Sequence, residues 1–566
     1  MIVTELYKGQ GLGNQLAVYI TTRVIALDRG YDFGIMHGER FKGADFLDLD
    51  FGREVLGGSG PEGGPPRTLP EEIRHYYCER RATHPENGAD IRLYDEDLTT
   101  VLDSTKLEGL MQDERYFAHR KGEIKRWLTI KNECDCRDYA DENICIINFR
   151  GGEYTRHPEL FLSKRYWNDA IKNMRKINPR FRFVVITDDT SSAQRFFPEH
   201  EVFHFSIAKD YSIINNAHYL ILSNSSFAWF PAWLNENLKY CIAPKYWARH
   251  NISDGYWSMG QNLTRGFMYQ DRNGNLSDYD SCMSEFSEYM KNHAKWFSIP
   301  KIENNFLVVS NYNNDVRWVP EYTDNYMIYD RSENPILPEK IDLKKVIQAP
   351  NIGYNLYDYF TFIIDNYENL PDCTIFVKGN IFPRHMRREE FERVMNSASF
   401  MPLVDKRLHR FRFPLSFFSS PPASGIRAGN IFHEINTSWY LKHFKNTYFN
   451  SYGHFLRFLY KNPTMPLYVP FAPGGNYIVP KATILKIPKI VYENLRLIIS
   501  HDQLAGEAHL VERALYTLWT KDGELNPDIQ KPLDENGIKE IASGKDMFML
   551  EKLIRKISLC IGKIYI

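Results

Sequence analysis

The chain reads as an α/β protein, in which strands run into polar turns and then into helices. Three stretches carry that reading. Residues 2–7 form a short strand pattern that enters the turn Lys8-Gly9-Gln10-Gly11-Leu12-Gly13-Asn14-Gln15; Leu16, Tyr19, Ile20, Val24 and Leu27 then recur at helical spacing. Residues 144–147 are a buried-strand run that ends in a turn carrying Arg150, Gly151 and Gly152. A new α/β pattern opens at Phe306, with a strand over 307–310 that runs into Asn311 and a second over 326–330 that ends in Asp330.

With 566 residues the chain is too long for one core, so two or three domains are expected. The net charge of -1 gives no bulk electrostatic case for nucleic acid or an anionic membrane. Aromatic content is high, 14%, which suits carbohydrate-facing surfaces and equally suits core filling. No run of about 18 apolar residues occurs, so no membrane span is expected. The first residues lack the charged-then-apolar order of a signal peptide, which points to a soluble, cytoplasmic protein. The eight cysteines fit that location; only Cys134 and Cys136 are close, and a lone C-x-C is not a zinc site.

The first turn places backbone N–H groups and a helix N-terminus at one point, an arrangement that suits an anion. Its glycine spacing is neither G-x-G-x-x-G nor a G-K-[ST] loop, which disfavours dinucleotide and Walker-type sites. The plainer reading is a tight turn. In the second stretch, an arginine at a strand end offers a fixed charge and a planar fork of donors, both suited to a diphosphate. Gly151 and Gly152 let backbone approach the same anion. Many strand-end arginines are ordinary surface residues.

Gly11-Leu12-Gly13-Asn14-Gln15 resembles the opening motif of glycosyltransferase family 11, the α-1,2-fucosyltransferases, and the protein O-fucosyltransferases carry a similar turn. Further elements follow in family order. Residues 107–117 are similar to the segment L-x-G-Y-x-Q-S-E-x-Y-F. Asn148-Phe149-Arg150-Gly151-Gly152-Glu153-Tyr154 aligns with H-V-R-R-G-D-Y, keeping the first arginine and replacing the histidine by Asn148, the second arginine by Gly151 and the aspartate by Glu153. Residues 181–189 end in Thr187-Asp188-Asp189, Asp210 opens a D-x-x-I-I-x-x-A segment, and Ser223-Asn224-Ser225-Ser226-Phe227 begins a match that runs through Trp229 and Trp233 to Asn235. Residues 242–247 resemble V-I-A-P-x-x-W.

This resemblance implies two Rossmann-like lobes in the GT-B arrangement and transfer of fucose from GDP-fucose, with inversion. Arg150 would hold the diphosphate, and Asn14 would position the sugar or the acceptor. Gly11, Gly13, Gln15, Gly152, Asp188, Asp210, Ser223, Asn224, Ser225, Ser226 and Phe227 would line the donor. Asp188 and Asp210 could instead cap helices or turns, and Phe227 could pack in the core, as Trp229 and Trp233 are expected to do. Glu153, Glu39 and His37 are candidates for the acceptor base, and the leaving phosphate could itself take the proton. No cofactor and no metal are expected for this half.

Residues 298–305 read as a linker. The second half resembles an uncharacterised, glycosyltransferase-related family through Asn311, Asp315 and Trp318, through Pro350-Asn351-Ile352-Gly353, through residues 366–380, and through Pro473-Gly474-Gly475-Asn476. Asn311, Asp315, Asp330, Asn351, Gly353, Asn380 and His385 are its candidate ligand residues, and Glu507 or Glu512 its candidate base. The family's glutamate is Asn355 here, and no D-x-D ends the strand over 374–377. His385, His509 and Glu507 could hold a metal or serve as ordinary turn and cap residues.

The expected architecture is thus a GT-B-like pair of lobes over 1–297 and a GT-A-like α/β domain over 306–566. Residues 57–66 read as a loop, and residues 536–566 as a closing amphipathic helix. The leading function is a bifunctional glycosyltransferase that meets a nucleotide sugar and a glycan acceptor. The alternatives are one fucosyltransferase with a glycan-binding or scaffolding module, and a non-enzymatic binding protein.

Overall fold

The computed structural model describes residues 1–55, 73–83, 90–251, 263–333, 340–405, 425–428, 431–435, 446–464, 466, 468–521 and 523–543. The loop expected at 57–66 and most of the closing segment lie outside these residues; of the latter, Glu535–Ser543 is helical. The chain divides into two compact units, Met1–Ser298 and Ile299–Ile566. Among the described residues no helix is long and apolar enough to cross a membrane.

The first unit holds two sheets. One is built from β1 (Ile2–Glu5), β2 (Phe33–Met36), β3 (His75–Cys78) and β6 (Thr105–Glu108), all parallel, in the order β2-β1-β6-β3. A separate two-stranded hairpin pairs β4 (Arg81–Thr83) with β5 (Asp90–Arg92). Helix α1 (Leu12–Arg29) follows β1 and is buried on nearly every side, Thr21 and Thr22 included. The sheet and a second helix both pack on it, so its burial is broader than one apolar stripe. Leu27 is the exception in the expected stripe. It is 42% exposed in the last turn, just before Gly30 ends the helix in a left-handed conformation.

The second sheet has seven strands in the order β13-β12-β11-β10-β7-β8-β9. These are β7 (Ile144–Phe149), β8 (Arg182–Thr187), β9 (Glu201–Phe203), β10 (Tyr219–Ile221), β11 (Tyr240–Pro244), β12 (Met268–Gln270) and β13 (Leu276–Ser277). All pairs are parallel except the β12–β13 hairpin. All six residues of β7 are buried, the pattern of a central parallel strand covered on both faces. Helix α2 (Lys121–Trp127) precedes this sheet, and α3 (Lys164–Ile177), α4 (Thr190–Phe196), α5 (Ile207–Asn216) and α6 (Ser226–Leu234) cross over it.

The strand order reverses between β7 and β10, since β8 and β9 lie to one side and β11 and β12 to the other. In the first sheet it reverses between β1 and β6. Ligands of open α/β sheets sit at the carboxyl ends of such switch strands. In α6, Trp229 and Trp233 stack at 5.4 Å and Phe117 meets Trp233 at 5.5 Å, so these tryptophans are core residues, as expected.

The second unit is built on β14 (Phe306–Asn311), β15 (Tyr326–Asp330), β16 (Val346–Gln348), β17 (Cys373–Lys378), β18 (Met401–Pro402) and β22 (Tyr477–Pro480). They are ordered β16-β15-β14-β17-β22-β18. The first four are parallel; β22 runs antiparallel to β17, and β18 antiparallel to β22, so β18 points the same way as the first four. A separate small sheet contains β19 (Gly425–Ala428), β20 (Ile431–Ile435) and β21 (Tyr468–Phe471). The order reverses between β14 and β17. Phe376 of β17 packs on Tyr359, Phe362 and Trp519, which ties helices Tyr354–Asp365 and Glu507–Thr520 to the sheet.

Candidate functional site

In the first unit the switch strands of both sheets deliver helix N-termini to the same place. Gly11 is the N-cap of α1 and Ser225 the N-cap of α6, and neither supplies a capping side chain. The first-turn amides of both helices are therefore left without side-chain caps, and both dipoles present their positive ends. The two ends touch. A Cβ added to Gly13 would lie 2.5 Å from the Phe227 nitrogen and 2.5 Å from Ser226 Oγ, so only glycine permits this approach. Asn14 lies at the junction; its Oδ1 accepts from Gln112 Nε2 at 2.6 Å and from Ser226 Oγ at 3.2 Å. Phe227 is half-buried, with its ring edge-on to Tyr211 at 6.3 Å.

Gln15, expected at the donor, does a different job. It is buried, its Nε2 donates to the Arg40 carbonyl at 2.8 Å, and its Oε1 accepts from the Lys42 amide at 2.9 Å. Both ends of the amide are engaged in fixing the turn after β2. Ser223 and Asn224 are likewise buried. Ser223 Oγ donates to Asn148 at 2.7 Å, and Asn224 Nδ2 donates to the Leu160 carbonyl at 2.8 Å. They hold the loop that presents Ser225 and Ser226, and Asn148 has a structural role in that loop.

Arg150 leaves β7 toward the same region. Its Nη1 donates to Asp188 at 2.5 Å and its Nη2 to Glu153 at 2.9 Å, and it lies over the Tyr154 ring at 5.2 Å. The guanidinium has five N–H donors and these bonds use two. The amide of Gly151 donates to Asp188 at 2.8 Å and that of Gly152 to Asp189 at 3.3 Å. The glycine turn thus cradles two carboxylates from the end of β8, which is where the expected anion contact of Gly152 is already in use. Asp189 also caps α4 through the Ser192 amide, and these bonds hold its carboxyl below the ordinary range.

Asp210 sits buried in the first turn of α5, accepts from the Phe205 amide at 3.2 Å and lies 3.5 Å from His204. Burial pushes its carboxyl up to about 6, with the charge of Asp188 adding to the shift. The folded carboxyl holds its proton more tightly than the unfolded one. Its contribution therefore favours the fold at low pH and is lost as pH rises through about 6. Asp210→Asn removes that dependence while keeping an acceptor for Phe205. The stability of the variant relative to wild type should rise by about 2 kcal/mol between about pH 4.5 and about pH 7.5. Urea unfolding at the two pH values measures it, and a constant difference refutes it.

The first lobe contributes a charged group that no motif marked. Lys106, fully buried in β6, donates to Glu5 at 2.6 Å and to Glu108 at 3.0 Å. Glu108 also accepts from the Tyr7 hydroxyl at 3.2 Å. His37, in a left-handed conformation, stands 3.7 Å from Glu5 and 3.2 Å from Glu39, which is 71% exposed. The available signal was the alternation Thr105-Lys106-Leu107-Glu108, which puts Lys106 and Glu108 on one strand face.

In the second unit Glu507 is fully buried. One carboxylate oxygen accepts from the Thr447 and Tyr448 amides, and the other meets His501 Nε2 at 2.8 Å. Both oxygens are engaged, so Glu507 is a structural clamp, contrary to the base role expected for it. Glu512 differs. Its Oε1 accepts from the Gly474 amide at 2.6 Å and its Oε2 lies 3.4 Å from Arg513. Burial raises its carboxyl, but His509, Arg513 and Lys378 outweigh that and bring it to about 2. It is a permanent anion at neutral pH, which makes it a poor proton acceptor.

Asn311 and Asp330 are buried partners at 3.3 Å, and Asp330 also takes Ser332 Oγ at 2.6 Å. Asp315 is tied to Arg317 at 2.6 Å in its own turn. Gly353 caps the helix Tyr354–Asp365 at φ 61°, where a side chain would meet the Ile499 carbonyl. Asn351 is half-buried just before this cap, and Asn380 stands at the start of the short helix Ile381–Arg384 without a side-chain bond to its first turn. His385 packs on the Gly474 turn, which Asn355 also holds, at 3.0 Å to the Gly474 carbonyl. Among the described residues no three His, Cys, Asp or Glu side chains converge as a metal cluster would require, and Glu507 and His509 serve the contacts above.

Fold and site thus define a two-unit α/β protein with polar, cationic groups at the switch points of its parallel sheets. Residues 307–531 match the family described as protein of unknown function (DUF3431). The chain is 28% identical over 165 residues to the alpha-1,2-colitosyltransferase of Escherichia coli, a match covering 25% of this chain and 56% of that protein. The chain therefore spans about half the length of that relative. Among solved structures, it is similar to the NodZ alpha-1,6-fucosyltransferase soaked with GDP-fucose, at 12% identity and a TM-score of 0.25, covering 49% of this chain and 97% of that one. It is also similar to POFUT1 in complex with GDP-fucose, at 12% identity and a TM-score of 0.25, covering 42% and 93% of the two chains.

Proposed function

We propose that the first unit is a glycosyltransferase that moves L-fucose from GDP-fucose to a sugar hydroxyl, with inversion and an α-1,2 linkage. The observation that carries this reading is the meeting of two uncapped helix N-termini, at Gly13 and Ser226, on the sheet-switch side where Arg150 also emerges. Breaking the glycosidic bond leaves charge on a diphosphate and an oxocarbenium-like sugar. Fixed donors aimed at the diphosphate stabilise that charge most effectively. Arg150 keeps three N–H donors for it, and the first-turn amides of α1 and α6 add theirs. Asn14 positions the sugar or the acceptor from the junction of the two helices. Asp188 and Asp210 accept from the nucleoside. The acceptor hydroxyl loses its proton to Glu153, to the His37–Glu39 pair or to the departing phosphate, and the pH profiles of Glu153→Gln and His37→Gln tell these apart.

The α-1,2 linkage takes support from the name of the relative in Escherichia coli, which also favours a second reading in which the sugar is colitose. In the same reading the second unit is a second sugar transferase and the protein works in the cytoplasm; the alternative second unit is a glycan-binding or scaffolding module.

GDP release from GDP-fucose, with and without galactose-terminated acceptors, tests the assignment. Wild type should show acceptor-stimulated release. Arg150→Ala should lower it by about 10²- to 10³-fold, and Arg150→Lys should restore only part, because a point charge replaces a fork. Stimulated release unaffected by Arg150→Ala sinks the role of Arg150. Release from the colitose nucleotide alone selects the second sugar.

A further inference from the structure

The second unit carries a cationic group at its own switch point that the reading above does not use. Lys378 ends β17 and Ser310 ends the neighbouring stretch of β14, the two strands between which the sheet order reverses. Lys378 and the exposed Arg384 make no ion pair or side-chain hydrogen bond among the described residues. Arg331, just beyond β15, is buried and reaches Asp358 at 3.1 Å. Ser310 Oγ donates to the same Asp358 oxygen at 2.5 Å, while Asp358 Oδ1 is buried without a hydrogen-bond partner.

The charges are unevenly paired. Lys378 feels Glu512, Arg384 and Arg331 together. Glu512 is already held by the Gly474 amide and Arg513, and Asp358 is pushed up to about 7 by burial, so it is only partly ionised at neutral pH. Glu512, Asp358 and Asp330, which bonds Asn311 at 3.3 Å, are the carboxylates near the three cations, and of these cations only Arg331 is in an ion pair among the described residues. Burial, with the two arginines adding to it, lowers the Lys378 ammonium to about 8 against the pull of Glu512. Backbone reaches the same place. Gly379 leaves no room for a side chain beside Asn311, and the Asn476 side chain accepts from the Lys378 amide at 3.0 Å, joining β17 to the Gly474–Gly475 turn.

We propose that the carboxyl ends of β14 and β17 form a diphosphate-binding site, anchored by Lys378, Arg384 and Arg331 beside the Gly474–Gly475 turn. An anion with two or more charges can meet both the unpaired Lys378 ammonium and the unpaired Arg384 guanidinium, whose donors together match its oxygens. The site deepens the reading of the second unit as a sugar transferase and does not depend on the reading of the first.

Calorimetric titration of the full chain with inorganic pyrophosphate, GDP and UDP tests it. In the Arg150→Ala background, which removes the first-unit anchor, one equivalent of a diphosphate ligand should still bind. Adding Lys378→Met should weaken that binding by about tenfold or more, and Lys378→Arg should largely restore it. Affinity should also fall as pH rises past about 8, when the Lys378 ammonium is lost. Pyrophosphate and a nucleotide binding equally would make the diphosphate itself the ligand; tighter nucleotide binding would assign the source as a nucleoside diphosphate. No binding in the Arg150→Ala background, equal binding of sulfate, or no effect of Lys378→Met each overturns the proposal. Should Lys378→Met fail to fold, the exposed Arg384→Ala reads the same loss. A single site that Lys378→Met removes and Arg150→Ala leaves intact would uphold this site and refute the first-unit reading.

Discussion

Gly13→Ala is expected to uncouple the two lobes of the first unit. The new methyl would stand 2.5 Å from the Phe227 nitrogen, a backbone atom that no side-chain rotation can move aside. The N-termini of α1 and α6 must then separate, and Asn14 loses its place beside Ser226. Forced overpacking of this kind costs about 1–3 kcal/mol, and misplacing catalytic groups by an ångström costs about 100-fold in rate. Urea unfolding should show the first, and acceptor-stimulated GDP release the second. Gly122→Ala is the control: it lies inside α2 with open space around it, so its stability should hold or improve. Equal activity of wild type and Gly13→Ala would show that the close approach has no part in function.

Lys106→Met should be the most destabilising single change in the first lobe. Burial disfavours the ammonium, yet Glu108 and Glu5 more than compensate and raise its proton affinity above the usual value. Removing it leaves two carboxylates, 13% and 24% exposed, facing one another with no cation between them. Breaking a buried ion pair from one side costs about 3–5 kcal/mol. The test is the urea transition of the variant against Lys106→Met combined with Glu5→Gln and Glu108→Gln. The combined variant should recover much of the loss, because neutral amides need no counter-charge. A small loss in Lys106→Met, or no recovery in the triple variant, would mean that the network is not a coupled charge system.

The α/β class was legible because it is written in local periodicity. The run over 144–147 is apolar at every position and became a central parallel strand, while the spacing of Leu16, Tyr19, Ile20 and Val24 became a buried helix face. Trp229 and Trp233 are core residues, as a hydrophobic helix demands. Leu27 broke the pattern because the far end of α1 projects beyond its packing partners, which no window of sequence reveals.

The candidate site divides in the same way. Residue type and strand-end position singled out Arg150 and the turn holding Gly13, since a fixed charge and an absent side chain are local properties, and the family resemblance added Ser225 and Ser226. Polar partners are not local. Gln15 and Arg150 looked alike as donor candidates, yet Gln15 is closed off by Arg40 and Lys42, while Arg150 retains open donors. Glu507 and Glu512 differ by five positions on one helix; one clamps buried amides and the other stands beside a lysine from a different strand.

By itself the sequence determined where strands end, where helices begin and which residue types stand at those junctions, because backbone conformation and hydrophobic periodicity act over a few residues. Only the tertiary structure decided which junctions meet. Asn14 and Ser226 are 212 residues apart, and Lys106 finds Glu5 across 101 residues. Whether a polar side chain binds a ligand or holds the fold depends on burial and on partners supplied by distant strands, and those are fixed by the packing of the sheets.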